Sequence, residues 1–149
     1  MCQEVFEIVK TMDLSNVEAR LALQCAPVIT GVKMSNLLIF LNKDEALVGR
    51  ILDGTPIDFY CLSWQDKKVI YLLFRSMEFE AYLNEPNVQG LLSHFGYQDI
   101  SLVNVLQMFQ KRYMTYMNTG TDFPHEMGLL LGYPIHLIIK YLQENQVCE

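Results

Sequence analysis

Nothing in this chain restricts its fold more than FPHEMGLLLGYP, residues Phe123 to Pro134. A helix start, a helix stop and a second start are compressed into one short stretch. Gly120, Thr121 and Asp122 break what precedes it, and Asp122 offers a side-chain acceptor to the free N–H groups of a new helix. Pro124 suits a first helical turn because it has no N–H to lose there. His125 and Glu126 fall in that same turn, where the positive end of the helix dipole favours an acid. Met127, Leu130 and Leu131 supply an apolar face at helical spacing. Gly132 can close the helix in a left-handed conformation. After Tyr133, Pro134 opens the next helix, with Ile135, Ile138, Ile139 and Leu142 on the side expected to be buried. The stretch predicts a short helix, a tight turn and a second helix.

That hairpin has helix-turn-helix-like spacing. The acid, small residue, turn glycine and apolar anchor of such a motif correspond to Glu126, Gly128, Gly132 and Ile138. Its second helix would present Ile135, His136, Leu137 and Lys140, with no arginine to bind guanine in bidentate fashion. The chain carries a net charge of -6, which opposes phosphate binding. A core-packing hairpin is therefore expected ahead of a DNA-binding regulator.

At 149 residues, 51% hydrophobic and 19% charged, the chain is long and apolar enough to fold as a single domain over 1–149. No apolar run approaches the length of a membrane span, and the N-terminus lacks the pattern of a secretory signal. A cytoplasmic protein without a membrane partner is expected. Cys2, Cys25, Cys61 and Cys148 form no C-x-x-C pair, so reduced thiols are expected and no zinc ribbon is indicated.

Helical periodicity begins at Val5, Phe6, Val9 and Met12. Ser15 to Glu18 reads as a capping box for a second helix through Val17, Leu21 and Cys25, ended by Pro27. Gly31 permits a turn into a strand over Asn36 to Leu41. A helix from near Asp44 to Leu52 and a turn at Asp53 to Pro56 follow. Ile57 to Ser63 and Lys68 to Phe74 read as a hairpin of strands. The first strand, its helix and the second strand suggest a right-handed parallel crossover. Met77 to Leu83, Asn87 to Phe95 and Ser101 to Met117 are helical, with Gly96 a stop. In the last of these Lys111 and Arg112 are expected to face outward. The fold class is α+β, a small mixed three-stranded sheet packed with about six to eight helices.

Four segments together, CAPVITGVKMSNLL, KKVIYLLFR, HFGY at His94 to Tyr97 and FPHEMGLLLGYP, resemble the domain of unknown function family 3793, found in clostridial-type bacteria. The resemblance covers most of the chain, in order and at similar spacing. In that family a cysteine is followed by a glycine-tryptophan-lysine-valine-tyrosine tail. The present sequence stops at Glu149, as a truncated chain or a member of a shorter branch would, and a missing tail would remove a strand and expose a sheet edge. The resemblance implies a bacterial protein with a lean toward metal or redox biology.

The candidate functional cluster is Cys25, His125 and Glu126, the same three being the candidate metal ligands. A histidine beside an acid can ligate a metal or shuttle protons. The pattern is not H-E-x-x-H, because Leu129 stands at the second histidine position. Both side chains can equally serve the backbone at a tight junction. Cys25 lies at a helix end, where a thiolate is disfavoured, and reads also as a buried apolar residue. Pro27, Gly31, Pro124, Gly128, Gly132, Tyr133 and Pro134 form the structural turns. No cofactor is assigned, since no phosphate-binding glycine loop is present. The leading expectation is a non-catalytic domain binding a protein partner or forming homo-oligomers. The alternative is a metal- or haem-linked accessory protein built on the cysteine, histidine and glutamate.

Overall fold

A computed structural model describes residues 16–144. The helix expected over Val5 to Met12, the capping Ser15, and Cys2 and Cys148 lie outside the described residues. The class is α+β, with three strands and seven α-helices among the described residues. Two compact units, Met1–Phe79 and Glu80–Glu149, divide the chain inside a helix.

In the first unit α1 (Val17–Ile29) leads to β1 (Ser35–Leu41), a 3-10 turn (Asn42–Asp44), α2 (Glu45–Leu52), β2 (Asp58–Gln65) and β3 (Lys68–Phe74). Asn16 caps α1, its side chain accepting from the N–H groups of Glu18 and Ala19. Pro27 does not end α1, contrary to expectation. It lies one turn from the end, so the single backbone bond it forfeits is followed by only a short continuation to Ile29. Gly31 then turns the chain with a φ of 80°. The Arg75 guanidinium reaches back from the end of β3 and donates to the carbonyls of Val28 and Ile29, at 3.0 and 3.2 Å. Two of the sequence motifs, CAPVITG and KKVIYLLFR, thus meet at one helix terminus.

The sheet is antiparallel throughout, with order β1-β3-β2, so the mixed sheet and parallel crossover expected from sequence do not form. The reason lies in the strand sequences. Val69 to Phe74 is buried on both faces, which only a central strand can be. A two-residue turn at Asp66 and Lys67 pairs β2 with β3, Asp66 adopting a φ of 54°. The remaining edge of β3 is taken by β1. Leu21, Cys25 and Val28 of α1 and Val48 and Leu52 of α2 pack with Leu38, Phe40, Val69, Tyr71 and Leu73 of the sheet.

The second unit contains the end of α3 (Ser76–Leu83), then α4 (Pro86–His94), α5 (Leu102–Thr119), α6 (Glu126–Leu130) and α7 (Ile135–Glu144). Val88 and Leu92 of α4 and Val105, Leu106, Phe109 and Tyr113 of α5 are buried at helical spacing. Ser101 caps α5 and Gly120 ends it in the left-handed region. The hairpin α6–α7 forms, but its details differ from the expected ones. Asp122 is not a cap; it has a φ of 60°, and α6 begins only at Glu126. Leu129 and Leu130, rather than Met127 and Leu131, are fully buried, and Ile139 is exposed while Ile138 is buried. Among the described residues no helix is long and apolar enough to cross a membrane.

Candidate functional site

Two helix stops in the second unit have the same construction. At the end of α4, the N–H of Gly96 donates to Ser93 and that of Tyr97 to Leu92. At the end of α6, Gly132 donates to Leu129 and Tyr133 to Gly128. Both are Schellman stops, with a glycine at positive φ, 97° at Gly96 and 80° at Gly132, followed by a tyrosine. The tyrosines then diverge. Tyr133 is exposed, whereas Tyr97 is 1% exposed and points its hydroxyl inward.

The loop FPHE explains where that hydroxyl goes. From Phe123 to Glu126 burial alternates out, in, out, in as the chain turns into α6 through His125. Pro124 and Glu126 turn inward; Phe123 and His125 turn to solvent. Glu126, only 1% exposed, accepts from the Tyr97 hydroxyl at 2.7 Å and from Arg112 Nη1 at 3.0 Å. The guanidinium also lies over the Tyr97 ring, 5.1 Å from its centroid. Burial, and then the Glu126 carboxylate, push the Tyr97 phenol up, against the pull of Arg112. The phenol therefore keeps its proton and serves as a donor. A carboxylate with two such partners is a satisfied buried charge. Arg112 was expected to face outward; it turns instead to the one buried acid of the described residues.

The sequence candidates are placed as follows. Cys25 belongs to the first unit, His125 and Glu126 to the second. His125 and Glu126, adjacent in sequence, take opposite sides: His125 is exposed between the rings of Phe123 and Tyr141, at 5.4 and 5.6 Å, and Glu126 is held by Tyr97 and Arg112. Cys25 is fully buried, and burial raises its thiol to about 11. Among the described residues no group of three or more His, Cys, Asp or Glu is arranged to hold a metal ion. Of the turn residues, Pro27, Gly31 and Gly132 stand at helix ends as described above. A Cβ at Gly128 on α6 would make only ordinary contacts, with Tyr133 Cδ2 at 3.5 Å and Ile138 Cγ1 at 4.0 Å. The carbonyl of Pro134 accepts from Leu137 and Ile138 at the start of α7.

The Cys25 shift predicts its chemistry. At pH 8, iodoacetamide should label Cys25 in the native protein about a hundredfold more slowly than in urea-unfolded chain, from the thiolate fraction alone. Peptide mapping by mass spectrometry reads this directly. Labelling at the unfolded rate would mean that the thiol is not in an apolar core. The linkage sign follows from a pKa raised on folding. The stabilisation is complete below the ordinary value of 9.0 and is lost as the pH rises through about 11.

Two concavities flank the FPHE loop. One, of about 600 Å³, lies between the α5 face bearing Lys111 and Arg112 and the loop bearing Asp122, Phe123 and His125, with Glu126 in its lining. The other, of about 360 Å³, is apolar and lies against α6 and α7, among Met127, Leu131, Leu137, Ile138 and Tyr141. Phe123 and His125 line both. Sequence reading missed Arg112 and Tyr97. A signal for each was present. Arg112 follows Val105 and Phe109 at helical spacing on the flank of the buried stripe, and Tyr97 holds the position after a Schellman glycine, which packs back on its helix.

A family model described as "Protein of unknown function (DUF3793)" matches residues 21–148. No curated protein and no solved structure matches the chain.

Proposed function

The chain belongs to the DUF3793 family of proteins of unknown function, and from that premise we propose that it is a non-catalytic binding domain, whose recognition surface surrounds His125. The observation that carries this is an exposed apolar face on the second unit. Tyr133, Leu137 and Tyr141 recur at four-residue spacing, 56%, 50% and 48% exposed, and Phe123 is 42% exposed beside them. Such a face bordering a groove marks a place where another molecule is bound. The polar groups support binding over catalysis. Glu126 is engaged by two partners, and Cys25 is buried with a raised thiol. The thiol of Cys25, outside any disulfide, fits a reducing, cytoplasmic setting.

The test uses N-phenyl-1-naphthylamine, a neutral apolar fluorophore, titrated into the full-length protein. Saturable enhancement is expected, and Leu137→Asp should weaken it by about tenfold, the loss of roughly 1.4 kcal/mol of apolar contact. Because Leu137 is half exposed, the variant should retain its circular dichroism spectrum. Absence of saturable binding, or an unchanged affinity in the folded variant, would remove the basis of the reading.

A further inference from the structure

We propose that β1 pairs with β1 of a second copy of the chain, antiparallel about a two-fold axis at Ile39, joining two three-stranded sheets edge to edge. This pairing edge belongs to the first unit and owes nothing to the recognition surface around His125. What carries it is a row of backbone groups with no partner among the described residues.

β1 is an edge strand, and its ladder with β3 is regular from Ser35 to Leu41. At the two ends of that ladder the Arg75 N–H donates to the Met34 carbonyl at 2.9 Å, and the Asn42 N–H to the Lys67 carbonyl at 2.7 Å. Antiparallel bonding alternates along a strand, so Asn36, Leu38 and Phe40 turn their N–H and C=O groups to β3. Leu37, Ile39 and Leu41 turn theirs away from the sheet. Among the described residues these three make no backbone bond on that side. Their side chains lie on the sheet face opposite Leu38 and Phe40, which pack against α1 and α2. Ile39 and Leu41 are 48% and 41% exposed, so the outer end of the edge is open. The strand SNLLIFL holds no charge and no proline, and its ladder has no bulge, so it lacks the devices that keep an edge from pairing. β2, the other edge, has two of them: a bulge between Cys61 and Ser63 interrupts it, and it opens on Asp58.

A second copy fits this row. The outward residues are symmetric about Ile39. With Ile39 opposite Ile39, Leu37 of one copy faces Leu41 of the other, and all three use both bonding groups. The flanks set the direction. Lys33 precedes the strand, whereas after it Lys43 is outnumbered by Asp44 and Glu45. Antiparallel pairing brings Lys33 to that acidic flank; parallel pairing would bring lysine to lysine and acids to acids. A single strand of seven residues is a small interface, so the dimer is a weak one.

Sedimentation of the full-length protein should give the mass of one chain at about 5 µM and approach that of two at about 500 µM. Over the same range, hydrogen exchange read by NMR should slow by about tenfold at the amides of Leu37, Ile39 and Leu41, and stay unchanged at Leu38 and Phe40, which β3 already protects. Ile39→Lys places like charges on the axis, and Ile39→Pro removes one outward N–H while leaving the β3 ladder intact. Each should weaken association by about tenfold or more with the circular dichroism spectrum retained. The exchange pattern is read on the unaltered protein, so it decides even where a variant fails to fold. A monomer at every concentration overturns the proposal, as does a dimer whose Leu37, Ile39 and Leu41 amides exchange as in the monomer. Folded variants that associate like the wild type overturn it too. A dimer that Leu137→Asp dissociates would place the contact in the groove of the second unit instead, and also overturn it.

Discussion

Arg112→Met should destabilise the protein by about 3 kcal/mol, at the lower end of the range for breaking a buried ion pair. The larger part of that loss comes from Glu126, which stays almost wholly buried with only the Tyr97 hydroxyl to offset its charge. The lower end applies because the Arg112 side chain is itself about one-third exposed, so water already screens part of the pair. For a chain of this length the melting temperature should fall by roughly 6–12 °C. The triple replacement Arg112→Met, Glu126→Leu and Tyr97→Phe should recover most of the loss, because no buried charge or hydroxyl is then left without a partner. Thermal unfolding of the single and triple variants measures both. If the single variant melts with the wild type, the Tyr97–Glu126–Arg112 set does not hold the second unit together.

The second large effect is at a glycine. Gly96→Ala should cost about 2–3 kcal/mol, for two reasons that act together. A φ of 97° strains any residue with a Cβ, by roughly 1–2 kcal/mol. The new methyl would also press on Arg112 Nη2 at 3.0 Å and disturb its bond to Glu126. Gly90→Ala, inside the helix that Gly96 terminates, is the control. Nothing lies within 4 Å of its added Cβ and its φ is ordinary, so that change should stabilise by about 0.5–1 kcal/mol. Denaturant titrations of the two variants should move in opposite directions. Equal, small shifts would mean that the Schellman stop after α4 does not depend on glycine.

Much of the fold is legible along the chain because it is set by neighbours in sequence. The hairpin turn, the glycine stops at 31, 96, 120 and 132, and the span of α5 each follow from a local backbone requirement. The misreadings share a different cause. Pro27 falls one turn before the end of α1, and the carbonyls that remain open there are bound by Arg75, from 46 and 47 residues away. Whether β1 neighbours β2 or β3 depends on which strand is apolar on both faces, a competition among all three. Asp122 looks like a cap in isolation, but its backbone is left-handed and the chain turns through Pro124 and His125 before the helix starts at Glu126.

The candidate site shows the same division more sharply. HFGY and FPHEMG are visible as motifs, and each announces a helix boundary. That they are halves of one construction appears only when Tyr97 and Arg112, 29 and 14 residues from Glu126, close on its carboxylate. The sequence by itself determined the helices, the turns and the α+β class, because backbone geometry and apolar periodicity act over a few residues. The tertiary structure alone decided the antiparallel strand order, the inward turn of Arg112 and the parting of His125 from Glu126. Those outcomes depend on which polar groups lose water together, and a buried charge is stable only where partners from distant segments reach it.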